Sequence, residues 1–168
     1  SSLTVQDKST NGGGKIVQPN GGQAIHVGYN GTLTVESGVM IEVTSNGESS
    51  FSSSASITDQ NCAVFLNGGG TANILGGTLT GKQGIYVKNG TLSVSGGTIH
   101  GKNSYALQVA ENAVANYNSM VTLTGGSYTT GVENGCSIWK ADGTAADLLA
   151  SGYRFESGGS ESEYSGDT

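Results

Sequence analysis

The chain has 168 residues, with seven Lys and Arg against 13 Asp and Glu, a formal net charge of −6 and only 12% of residues charged. The few basic residues are scattered rather than gathered in a stripe, which argues against nucleic acid or an anionic membrane surface as a partner. No apolar run approaches the roughly 18 residues that a membrane-spanning helix needs, and the length suits a single domain.

From the start of the chain, Leu3-Thr4-Val5 and Lys15-Ile16-Val17 alternate apolar and polar residues as strands do. Pro19-Asn20-Gly21-Gly22 then turns the chain, and a unit of three short strands begins. The first type, A, reads Ala24-Ile25-His26-Val27 and returns as Ala63-Val64-Phe65-Leu66, Gly84-Ile85-Tyr86-Val87, Ala106-Leu107-Gln108-Val109 and Gly135-Cys136-Ser137-Ile138. The second, B, reads Thr32-Leu33-Thr34-Val35, then Thr71-Ala72-Asn73-Ile74, Thr91-Leu92-Ser93-Val94 and Met120-Val121-Thr122-Leu123. The third, C, reads Gly76-Gly77-Thr78-Leu79-Thr80, Gly96-Gly97-Thr98-Ile99-His100 and Gly125-Gly126-Ser127-Tyr128-Thr129. Leu3–Val5 fits type B and Lys15–Val17 type C. A period of roughly 20–22 residues indicates a solenoid.

Three short strands per period, with Gly and Asn at the corners, describe one coil of a parallel β-helix. Each coil stacks on the last at about 4.8 Å, and apolar residues line up in columns that no single coil could bury alone. Two columns are expected: Ile25, Val64, Ile85, Leu107 and Cys136, and Leu33, Ala72, Leu92 and Val121. The handedness preference of parallel connections selects the right-handed form. The expectation is an all-β, right-handed parallel β-helix over residues 1–155, with three short strands per coil and five to six coils.

The units GGTLTG, NGTLSV and GGTIHG resemble those of right-handed parallel β-helices of the pectate-lyase-like kind. More specifically they resemble the Gly/Thr-rich repeats of large surface proteins and adhesins of Gram-positive bacteria. LTVQDKSTNGGGKIVQ at the start and ADLLASGYRF near the end look like segments that flank such repeats. This resemblance implies the fold, a secreted or cell wall-attached setting, and adjoining domains in a longer parent protein; it does not specify an activity. The opening at Ser1, without Met or signal peptide, is read in the same way, as an excised or processed piece.

Several stretches depart from the repeat. Ile25 to Val64 spans 39 residues, and the surplus lies in the Ser-rich run from Thr44 to Asp59, expected to loop back over outward-facing Ile41 and Val43 or to form a ligand-binding lip. A second surplus spans 110–119. Ala145–Leu149 reads as either a B-type strand or a helical turn, and a capping role is favoured because a solenoid end needs one. Residues 156–168 are acidic and Ser/Gly-rich, as in a disordered tail or linker. Cys62 and Cys136 lie about three coils apart, roughly 14 Å by coil spacing, beyond the ~7 Å Cα separation a disulfide tolerates; two free, mostly buried thiols are expected.

No set of residues with the spacing of a catalytic or metal site emerges. A glycosidase needs two carboxylates facing across a cleft at roughly 5–9 Å, and the Asp residues sit mostly at turns and ends. Glu36 and Glu42 have Leu75 and Gly81 beside them in the next coil. His26 and His100 lie on different strands without a Cys, Asp or Glu at ligand spacing, so no metal or cofactor is expected. Two outward rows remain. On the B strands, rows of Thr resemble those of ice-binding solenoids, but Asn73, Ser93 and Met120 interrupt them, and Thr is a good strand residue in its own right. On the A strands the outward residues are His26, Phe65, Tyr86, Gln108 and Ser137, with Trp139 and Tyr29 near the same side. Such a row reads either as cross-strand pairing that stiffens the sheet or as exposed ring faces that stack on sugars or dock a protein. The candidate ligand-binding residues are therefore Phe65, Tyr86, His26, Gln108, Trp139 and Tyr29. The expected function is a non-catalytic, adhesin-like or stalk-like module that presents this face to a glycan or a host surface protein. The alternatives are a β-helix polysaccharide lyase or glycoside hydrolase whose acids arrive through the loops, and a purely structural spacer.

Overall fold

The computed structural model describes residues 1–45, 61–110, 119–133, 135–141, 143–157 and 160–161. Fifteen strands follow one another round a right-handed path in five coils. The first coil is β1 (Ser2–Val5), β2 (Lys15–Gln18) and β3 (Gln23–Val27); the second is β4 (Thr32–Val35), β5 (Met40–Val43) and β6 (Cys62–Leu66). The third is β7 (Gly70–Ile74), β8 (Thr78–Gly81) and β9 (Gln83–Val87), and the fourth β10 (Gly90–Val94), β11 (Thr98–Gly101) and β12 (Leu107–Val109). The fifth is β13 (Met120–Leu123), β14 (Ser127–Thr130) and β15 (Ile138–Lys140). Every third strand pairs in parallel, giving three five-stranded sheets: A (β3, β6, β9, β12, β15), B (β1, β4, β7, β10, β13) and C (β2, β5, β8, β11, β14).

The register brings like residues together. Leu3, Leu33, Ala72, Leu92 and Val121 form one column of sheet B, and Val5, Val35, Ile74, Val94 and Leu123 the other. In sheet C, Ile16, Ile41, Leu79, Ile99 and Tyr128 stack. Apart from Leu3, which is half exposed in the first coil, these columns meet along the axis as one continuous core. A buried aliphatic side chain contributes about 1.5–3 kcal/mol, and none of these would be buried without the coil above or below. At the corner between sheets B and C, Gly77, Gly97 and Gly126 have φ of +84°, +91° and +97°, a left-handed conformation that glycine alone adopts without strain.

Two expectations about register are overturned. Ile41 and Val43 face inward and are fully buried, while Met40 and Glu42 face out. The cause is one extra residue: Met40 pairs with Thr78, so Val39 stands where the later coils place Gly77 and Gly97, and a shift of one residue exchanges the two faces of a strand. In the last A strand, Leu107 pairs with Ile138 rather than Cys136, so the core column runs Ile25, Val64, Ile85, Leu107 and Ile138.

The C-terminal end carries a cap. Ala145–Leu148 forms a 3₁₀ turn with Ala145 and Leu148 buried, and the Asp147 carboxylate accepts the Thr144 N–H at 2.7 Å. Leu149 then bridges in parallel to Leu123, so the stretch supplies both the turn and a fragment of B-type pairing. Phe155 meets Tyr128 edge-to-face at 6.5 Å. A cavity of about 550 Å³ remains under this cap, lined by Leu123, Tyr128, Ile138, Leu149 and Phe155 among others. Beyond it, β16 (Glu156–Ser157) pairs antiparallel with β17 (Ser160–Glu161). The Ser-rich run at 46–60 and the stretch at 111–118 lie outside the described residues, as do 162–168. Among the described residues no helix is long and apolar enough to cross a membrane.

Candidate functional site

The outer face of sheet A holds the residues that the repeat singles out. The five-residue A strands β3, β6 and β9 begin with an outward residue, then place two consecutive side chains inward, one outward and one inward, and the shorter β12 and β15 begin at the second inward position. The first inward position is small because it fills the corner: Ala24, Ala63, Gly84, Ala106 and Ser137 occupy it. At Gly84 an added Cβ would run into Ile99 and the Ala106 carbonyl. The second is the large core residue of the column already described.

This pattern leaves two outward rows. One runs His26, Phe65, Tyr86, Gln108, Trp139, each opposite the next across a strand pair. Trp139 is thus the fifth member of the row rather than a flanking residue, and Ser137, expected there, sits at the corner. The second row, which the sequence reading missed, begins Gln23, Cys62, Gln83 and continues at the matching positions of the next coils with Tyr105 and Cys136. Its signal was present in the sequence as the residue just before each small corner residue.

The rings do stack. His26 and Phe65 have centroids 5.0 Å apart and tilted, and Phe65 and Tyr86 lie 5.4 Å apart and nearly parallel. They do not offer open faces in mid-row, however. Phe65 is fully buried and Tyr86 is 4% exposed, in a cluster with Cys62 and flanked by Ala110. Stacking covers the ring faces and the edges are closed off as well, so neither ring is open to a ligand. Gln108 is buried as well, and accepts a hydrogen bond from Gln83 Nε2. Gln83 is 1% exposed, and its Oε1 has no hydrogen-bond partner among the described residues. Burial also pushes the Cys62 thiol far above its ordinary range, which leaves it inert as a nucleophile. Both cysteines are free, Cys62 buried and Cys136 half-buried.

The ends of the face are open. His26 is exposed on β3, with Tyr29 72% exposed beyond it. At the other end Trp139 is 36% exposed and stacks on Tyr105 of the second row, centroids 5.9 Å apart and 21° from parallel. His26 is the one titratable side chain in either row besides the tyrosines and thiols, so among the described residues these two rows hold no acid, Lys or Arg.

The described carboxylates with the clearest environments serve the backbone and the sheets. Asp7 accepts the N–H groups of Ser9 and Gly14 at 2.8 and 2.9 Å, and the Gly14 bond in particular lowers its pKa. Glu42 lies between Lys15 at 3.0 Å and Lys102 at 3.4 Å, and the Lys15 bond holds its carboxyl below the ordinary value. Asp147 is held low chiefly by the Thr144 N–H. His100 bonds Thr129 Oγ1 at 2.8 Å. Among the described residues no group of three or more His, Cys, Asp or Glu is placed to hold a metal ion. Compared with known proteins, the chain matches no family model, no curated protein and no solved structure.

Proposed function

We propose that this domain is a non-catalytic, extracellular β-helix module, adhesin-like or stalk-like, that presents the outer face of sheet A to a glycan or to a surface protein. The observation that carries the reading is the make-up of that face. Its open ends carry exposed rings, His26 and Tyr29 at one and Trp139 at the other, and among the described residues its two rows hold no acid, Lys or Arg. Exposed rings give a large contact area at low entropic cost. The repeat's resemblance to Gly/Thr-rich surface proteins of Gram-positive bacteria supports the setting. The test is an array of glycans and extracellular proteins probed with the folded domain. Tyr29→Glu/Trp139→Glu alters the open ends of face A, and Thr34→Glu/Asn73→Glu alters face B as a control. Saturable binding lost in the first variant and kept in the second is expected. No binding to anything on the array, or equal binding by all three proteins, overturns the reading.

A further inference from the structure

We infer that the Asn11–Gly12 step, in the loop between β1 and β2, is a site of self-modification; this goes beyond the reading above and does not depend on it. The Asn11 side-chain amide is lost through a cyclic imide, and an isoaspartyl or aspartyl link remains. In the first step the Gly12 backbone nitrogen gives its proton to solvent base and attacks Asn11 Cγ. The N–Cγ bond forms, the Cγ–Nδ2 bond breaks, and the amide nitrogen leaves as ammonia. Water then opens the imide. Addition at the main-chain carbonyl carbon of Asn11 routes the chain through Cγ, as isoaspartate, and addition at Cγ leaves an ordinary aspartate. Water is the co-reactant, and nothing is oxidised or reduced. The chemistry asks two things of the backbone: room for the following nitrogen to swing over the amide carbon, and an N–H that is not held elsewhere.

Four other Asn–Gly steps lie among the described residues, and the fold holds each of them. Asn67 and Asn89 stand at the corner between sheets A and B in successive coils. Asn89 Nδ2 donates to Asn67 Oδ1 at 3.1 Å, the Gly68 N–H to the same oxygen at 2.9 Å, and the Gly69 N–H to Asn89 Oδ1 at 3.0 Å. A hydrogen-bonded N–H lies near the plane of the carbonyl it meets, whereas attack on the carbon comes from above that plane. Asn89 and Gly90 are buried as well. At Asn30, itself at φ +53°, the Gly31 N–H is given to the Gly28 carbonyl at 2.9 Å. After Asn20, Gly21 is packed so that a Cβ would come within 2.9 Å of Asn61 Oδ1, which also takes the Gly22 N–H. Asn11 and Gly12 are exposed. Asp7 accepts the N–H groups of Ser9 and Gly14, which braces the base of their loop. The tip stays clear: apart from chain neighbours, a Cβ on Gly12 would meet only Asp7 Oδ2, at 4.0 Å, and one on Gly13 nothing among the described residues. The product places a further carboxylate in the loop that Asp7 braces, on a chain whose formal net charge is already −6.

The test is incubation of the folded domain at mildly alkaline pH in heavy-oxygen water, followed by digestion and mass spectrometry of the five steps. Label should enter at Asn11 first, with the other four at least about tenfold slower, because each of those has to open locally before it can react. In guanidinium, where all five are open, the rates should converge to within about threefold. Asn11→Gln, whose longer side chain closes the corresponding ring far more slowly, should remove the label from that peptide. Uptake at Asn67 or Asn89 of the folded protein as fast as at Asn11 overturns the proposal, since the hydrogen bonds would then protect nothing. A preference for Asn11 that survives unchanged in guanidinium overturns it too, because neighbouring residues rather than the fold would be selecting the site. So does an Asn11 that takes up no label in the folded domain over a time in which the denatured chain reacts.

Discussion

Cys62 and Cys136 show how far one residue type can be set apart by its place in a coil. Both are free, yet Cys62 is packed among Phe65 and Tyr86 and its thiol is pushed up by burial, while Cys136 sits half-buried in the last coil. A thiol-reactive dye should therefore label one cysteine in the native protein, Cys136, and two after unfolding in guanidinium. Labelling of Cys62 at a comparable rate without denaturant would show that this cluster is open to solvent. That the two thiols lie too far apart to pair was legible from the sequence by counting coils. Burial was expected of both as small core fillers; Cys62 is buried, though in the outer cluster with Phe65 and Tyr86 rather than in the axial core, and Cys136 is only half-buried because it stands in the outward second row of the last coil.

At the level of strands, Glu42 ties three segments together. Its carboxylate on β5 meets Lys15 on β2 and Lys102 just after β11, and Lys102 also donates to the Val43 carbonyl at 3.0 Å. The Lys15 bond lowers the Glu42 pKa, burial opposes it, and Lys102 lowers it further. A carboxyl whose pKa is depressed on folding stabilises the fold above its ordinary pKa, and that contribution is lost as pH falls through the depressed value. The melting temperature should therefore decline between about pH 5 and pH 3, and more steeply in the wild type than in Glu42→Gln. With all three side chains partly solvated, the difference at neutral pH should be at most about 1 kcal/mol. Parallel pH profiles in the two proteins would mean the cluster contributes nothing. Its assembly was not readable from the sequence: the extra residue at Val39 inverts the faces of β5, and the alignment of glycine pairs concealed that insertion. The small residue at each A corner would have prevented the other slip. Aligned on Ala24, Ala63, Gly84 and Ala106, the last member is Ser137, and Ile138 and Trp139 then fall into the core column and the aromatic row.

At the scale of the whole molecule, stability comes from coils stacking on coils, so the ends are where it is weakest. The 3₁₀ turn, the Leu149 bridge to Leu123 and the Phe155 contact with Tyr128 close the last coil. Leu148→Asp would put an unpaired charge at a buried position of that cap. It should cost about 3 kcal/mol or more and, by opening a sheet edge, raise self-association. Thermal unfolding followed together with light scattering measures both. A variant that melts and scatters like the wild type would show that the turn does not cap the solenoid.

What the sequence determined by itself is the repeat, and through it the coil. A period near 21 residues, strands of four or five residues, and glycine where the backbone must turn leave few ways to bury the apolar positions other than stacking them in parallel columns. It also placed four members of the outer row, His26, Phe65, Tyr86 and Gln108, by alternation alone, but it misplaced Cys136 and Ser137 and missed the second row, because two consecutive inward residues in each A strand break the period of two. Only the tertiary structure decided which of those outward residues keep free surface. Phe65 and Tyr86 are enclosed between other rungs while Trp139 lies on an edge strand, and that distinction depends on where each coil stands in the stack rather than on the residues within it.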